Sequence, residues 1–157
     1  MKRFLLFLLS LFTVFTGFAA TETWEKVTST PSSWEGDYLI VYEAGNVAFD
    51  GSLTAFDAAN NTKAVTITDG KIETTDCDFY FTVKAEADGY YSLKSASGKY
   101  VGNTENSNKI KTADAISSGY YNTFDVDANG NAVITSSFFK ADGTALTSHT
   151  TMRYNKD

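Results

Sequence analysis

Short runs of alternating apolar and polar residues, each closed by a turn dipeptide, recur from residue 37 almost to the end of this chain. A period of two is the pattern of a strand with one covered face, and no comparable stretch carries helical spacing. Asp37–Glu43 (DYLIVYE) reads as a central strand. Ala64–Thr68 and Lys71–Thr74 flank Asp69–Gly70, a two-residue hairpin signal. Asp78–Ala85 places Phe79, Phe81 and Val83 on one face, and Asp88–Gly89 turns it into Tyr90–Ser95. Ser97–Gly98 turns into Lys99–Gly102. Thr123–Asp127 and Asn131–Ser136 flank Ala128–Asn129–Gly130, and Phe138–Lys140, Asp142–Gly143 and Ala145–Thr147 continue the series. Thr54–Asn61 has room for one helical turn, and Asn103–Ser118 reads as a long polar loop with one short strand near Ile110. Aromatic residues make up 15% of the chain and proline occurs once, which is strand composition. The expected class is all-β, a single small barrel or sandwich.

The first twenty residues carry a different signal. Lys2 and Arg3 precede an apolar run, Phe4–Phe15, and Gly17–Ala20 supplies small residues for cleavage. This is the layout of an export leader. The run is too short for a membrane-spanning helix, which needs about 20 residues. Residues 1–20 are therefore expected to be removed, leaving 21–157 as one all-β domain that is secreted, periplasmic or held at the cell surface. Lys2 and Arg3 leave with the leader, so 11 basic residues face 19 acidic ones, a balance of −8. Nucleic acid and anionic membrane both select basic surfaces and are not expected partners.

A weak internal repeat points to a trefoil-like barrel. Gly36-x-Tyr38 precedes Gly45-x-Val47, and 53 residues later Gly89-x-Tyr91 precedes Gly98-x-Tyr100. A third unit at Gly130 is incomplete. Trp24, Tyr38, Tyr91 and Tyr100 are expected to fill the barrel. Gly89–Gly102 (GYYSLKSASGKYVG) resembles the strand-turn-strand repeat of β-trefoil proteins. Taken with Trp24–Val27, Gly36–Glu43, Ala48–Leu53, Val65–Ile72 and Met152–Asn155, it resembles an accessory domain common in secreted proteins of Bacteroidetes bacteria. Such domains occur alone or beside other extracellular modules, including some nucleases, and the resemblance implies no catalytic residues. They usually continue past the RYN-like strand, whereas this sequence stops at Asp157. The expectation is either a natural short form or a domain lacking its last strand, with an edge open to another chain.

Several residues are candidates for chemistry. Asp125-x-Asp127-x-Asn129-Gly130 resembles the start of a calcium loop, although position 12 is Ser136 rather than glutamate. The competing reading is a plain β-turn that needs no cofactor. Cys77 and His149 are the only cysteine and histidine, so neither a disulfide nor a zinc cluster can form within the chain. A buried, inert Cys77 is expected rather than a nucleophile paired with His149. Asp76 with Asp78, Glu22 with Glu25, and Asp125 with Asp127 are pairs from which a hydrolase could draw an acid and a base.

The aromatic residues carry the favoured expectation. Neighbours such as Tyr90–Tyr91 and Tyr120–Tyr121 cannot both face the core of a strand. Trp34 lies in a polar Ser-Ser-Trp-Glu-Gly loop. Trp34, Tyr90 and Tyr120 are thus candidate ligand-binding rings, and exposed rings rimmed by polar groups suit sugars. The expected function is a non-catalytic accessory or binding module with glycan as ligand. The alternatives are a protein-interaction or adhesion module using an open edge strand, and a small secreted hydrolase.

Overall fold

The computed structural model of the chain describes residues 2–3, 21–87, 89–136, 144 and 148–153. Among them the strands are β1 (Lys2–Arg3), β2 (Thr21–Glu25), β3 (Gly36–Tyr38), β4 (Val41–Tyr42), β5 (Val47–Phe49), β6 (Thr62–Ala64) and β7 (Lys71–Thr75). They continue with β8 (Phe81–Ala87), β9 (Tyr90–Ser95), β10 (Tyr100–Gly102), β11 (Lys111–Ala113), β12 (Tyr121–Val126) and β13 (Ala132–Ser136). Two single 3-10 turns, Glu43–Gly45 and Ser118–Tyr120, are the only helical pieces among the described residues. No helix among those residues is long and apolar enough to cross a membrane. The all-β class is what the alternation requires. Residues 4–20 of the expected leader, the strands expected over 138–140 and 145–147, Asp88, the expected 142–143 turn and the chain after Arg153 lie outside the described residues.

The larger sheet runs β11-β10-β9-β8-β3-β1-β2-β7, and its pairings are antiparallel. β9 forks it, pairing with β10 through Lys94 and with β12 through Tyr91 and Ser92. β13 adds to β12, and Thr151 bridges Thr135 beyond that. A smaller sheet holds β4-β5-β6. β7 and β11 end the larger path without pairing to each other, so neither sheet closes into a barrel among the described residues.

Local sequence explains many of the elements. Asp69 and Gly70 take φ of 48° and 72°, and Thr68 and Lys71 exchange both backbone hydrogen bonds across them. That is the left-handed pair a two-residue hairpin demands. β7 then alternates, with Ile72 buried between exposed Lys71 and Glu73. On β8, Phe81 and Val83 are at most 1% exposed, as the period of two requires.

Two apolar clusters hold the fold. The first gathers Trp34, Tyr38, Phe56, Phe81, Val83, Leu93 and Val101. The second gathers Trp24, Leu39 and Ile72, with Val65, Ile67, Cys77, Phe79 and Tyr80 against it. Successive residues Tyr38 and Leu39 serve different clusters, as expected of extended backbone. The stretch read as one strand over residues 37–43 breaks after Tyr38 because its two halves take different partners. β3 pairs with β8, and β4 pairs with β5. Residues 64–68 likewise give up most of their expected strand, because β6 ends at Ala64 and Val65 N–H donates to the Asn46 carbonyl. Thr54–Asn61 forms bends and turns instead of a helical turn. Phe56 is pulled into the first cluster against Phe49 and Phe81, and the Asn61 amide caps the Phe56 carbonyl.

Candidate functional site

The alternation of β9 sorts its side chains. Tyr91 and Leu93 pack with the first cluster, so Tyr90, Ser92 and Lys94 lie on the opposite face. Tyr121 stands opposite Ser92 in the β9–β12 register and shares that face. The Tyr90 and Tyr121 rings stack with centroids 6.3 Å apart and planes inclined by 28°. Tyr100 stands opposite Lys94 on β10, and the Lys94 ammonium sits 5.2 Å from its ring centroid. On the other side, Lys84 and Thr82 of β8 stand opposite Ser92 and Lys94. Thr82 Oγ1 donates to Asp37 Oδ1 at 2.8 Å, continuing the polar row to β3. Three half-buried tyrosines are thus interleaved with two lysines, a threonine and an aspartate on one strand face. Tyr100 lies on this outward face and not inside a barrel, because its neighbour Val101 takes the core position.

The three rings singled out in the sequence have different fates. Tyr90, half-buried, is on the face opposite the first cluster. Trp34 is a correction: it is only 6% exposed, with Tyr38 and Phe124 rings 6.0 and 5.7 Å away. The polar loop around it conceals an indole that the first cluster absorbs, since burying so large an apolar surface outweighs the loop's polarity. Tyr120 is tied down as well, its hydroxyl donating to the Thr112 carbonyl at 3.1 Å. Its neighbour Tyr121 joins the face instead. The adjacency argument identified one outward ring in each pair; strand register was needed to choose Tyr121.

Asp125 and Asp127 direct their carboxylates to different partners. Asp125 Oδ1 accepts from Thr30 Oγ1 and Val126 N–H. Asp127 Oδ1 accepts from the Asn129 and Asn131 amides, and Asp127 Oδ2 from the Asn131 side chain at 3.1 Å. Asp127 is held within its own turn and Asp125 by the distant Thr30, and no group of three acidic, cysteine or histidine side chains fit for a metal occurs among the described residues. The arrangement is that of an Asx-anchored turn, with Gly130 at φ 76°. Hydrogen bonds from Asn131 hold the Asp127 carboxyl below its ordinary range, and those from Thr30 and Val126 do the same for Asp125. A depressed folded pKa means the carboxylate's contribution is full above the unfolded value, about 3.9, and fades as pH falls through the folded one. Asp127→Ala should therefore lower Tm at pH 7 and converge with the parent as pH falls through the depressed folded pKa. Thermal melts across that range check this, and a difference independent of pH would refute it.

Cys77 is half-buried, and burial pushes its thiol up, the opposite of an activated nucleophile. It lines a shallow open depression of about 370 Å³ with Ser52, Asp78, Tyr80, Ala96 and Ser97. His149 Nδ1 meets its neighbour Ser148, and its carbonyl accepts from Asn103. One member of each of two acid pairs is drawn off by a lysine: Asp78 binds Lys63 at 2.6 Å and Glu25 binds Lys71 at 2.7 Å. Comparison with known protein families, with curated proteins and with solved structures finds no match to this chain.

Proposed function

We propose that the chain is an exported, non-catalytic binding module whose Tyr90–Tyr121–Tyr100 face takes a glycan. The observation that carries this reading is the outward stack of Tyr90 on Tyr121, beside a lysine that covers Tyr100. Tyrosine presents an apolar ring face to sugar C–H groups and a hydroxyl to their rims. Lys84, Lys94, Thr82 and Asp37 supply directional partners around the rings. Burial of Trp34 favours the sheet face over the loop in this reading. A trefoil-like organisation is part of the proposal. Gly36 and Gly89 both take positive φ, 144° and 82°, two residues before tyrosines that pack on the same cluster.

The exported protein, screened against a glycan array, should bind at least one class of oligosaccharide. Tyr90→Ala and Tyr121→Ala should each weaken binding by roughly tenfold, the loss of about one aromatic stacking contact. Trp34→Phe, altered only in the core, should bind as the parent does. Absence of any glycan ligand, or full binding by well-folded Tyr90→Ala and Tyr121→Ala, would overturn the assignment.

A further inference from the structure

β1 lies between β2 and β3. Lys2 stands opposite Glu25 on one side and Tyr38 on the other, and Arg3 stands opposite Trp24. Being antiparallel to both, β1 leaves β2 and β3 running in the same direction, one strand apart. The far edge of β2 is taken by β7 and that of β3 by β8. Among the described residues, β1 is the only ladder joining the β2–β7 pair to the rest of the larger sheet. Yet Lys2 and Arg3 are the basic start of the segment read as an export leader. Cleavage after Ala20 places Thr21 at the head of β2 and removes β1. The facing edges of β2 and β3 would then stand about 10 Å apart, twice the spacing at which strands pair. Their inward backbone groups would lose their partners beside Trp24, Tyr38 and Leu39, which are 0%, 6% and 2% exposed.

We infer that the exported chain carries an open strand slot between β2 and β3, which is filled by an extended basic segment of a partner protein. Both walls supply main-chain hydrogen bonds, so the incoming strand is held on two edges and runs antiparallel to each. Its charge follows from the slot's surroundings. Glu22 and Asp37 lie on the two walls, and the domain stands at −8 without its leader. A second copy of the chain, being equally acidic, is disfavoured by like charge. The inference rests on the export reading and not on the tyrosine face.

The test uses the exported protein, with its N-terminus established by intact mass, and a synthetic peptide of residues 1–6. Saturable one-to-one binding with a raised Tm is expected, weakened at least tenfold when Lys2 and Arg3 are N-methylated or both replaced by glutamate. A protein that does not fold alone should fold when the peptide is added. An exported protein that retains Met1 overturns the inference and leaves the glycan reading standing. So does a dimer that the peptide fails to dissociate, or a peptide that neither binds nor restores folding.

Discussion

Trp24→Ala should cost the domain about 3–5 kcal/mol, the range for truncating a fully buried aromatic residue. The second cluster has three buried members, Trp24, Leu39 and Ile72, and Trp24 is by far the largest. It stands opposite Ile72 across the β2–β7 ladder and stacks on Tyr80 with centroids 6.5 Å apart. Its indole N–H donates to Thr74 Oγ1 at 2.8 Å, which ties the ring to the same strand that covers it. Truncation would leave a large void with few neighbours able to collapse into it, and the Thr74 hydroxyl would lose a partner. Against a typical total of 5–15 kcal/mol, that loss brings the fold near its limit. Trp24→Phe keeps most of the packing and should forfeit about 1 kcal/mol for the hydrogen bond, in addition to the smaller ring's deficit. Urea titration of the three proteins measures both steps. A midpoint for Trp24→Ala within error of the parent would show that the second cluster carries little of the stability.

Gly51→Ala should be the most damaging of the glycine substitutions, with a loss at or above the upper end of the ~1–3 kcal/mol usual for overpacking. A Cβ at this position would lie 2.3 Å from the Tyr80 carbonyl oxygen and 2.9 Å from the Phe79 carbonyl. Those atoms are backbone, so no rotamer change relieves the clash. The glycine is also pinned on both sides, its N–H donating to Phe79 and its carbonyl accepting from Ser97 N–H at 2.9 Å. It is the point where the chain leaving β5 wedges between the entry to β8 and the β9–β10 turn. Gly70→Ala offers the contrast. Its Cβ would meet open space, and only its φ of 72° resists substitution, at about 1 kcal/mol. Thermal unfolding of the two variants side by side should separate a clash from a conformational preference. Equal Tm values would contradict the close approach at Gly51.

Much of the strand pattern was legible because alternation and turn chemistry are local. The bounds read for Tyr90–Ser95 coincide with those of β9, and the hairpin at Asp69–Gly70 forms where its dipeptide stands. The tight turn at Asp127–Asn131 was legible for the same reason, and its carboxylate accepts hydrogen bonds from its own loop. Trp34 was misplaced because neighbouring residues describe only the loop it sits in. Its burial comes from Tyr38 and from Phe124, which lies 90 residues along the chain.

By itself, then, the sequence determined the all-β class, several of the turn positions among the described residues and the rule that one of each adjacent tyrosine pair points outward. These depend on residues one to four apart, where backbone sterics and side-chain alternation act directly. Tertiary structure alone decided that Tyr121 and not Tyr120 joins Tyr90, that Gly51 has no room for a methyl group, and that residues 2–3 lie between β2 and β3. Each of these is set by which strand pairs with which, over separations of tens of residues. Burial and backbone satisfaction across the whole chain choose among such pairings, and no short window contains them.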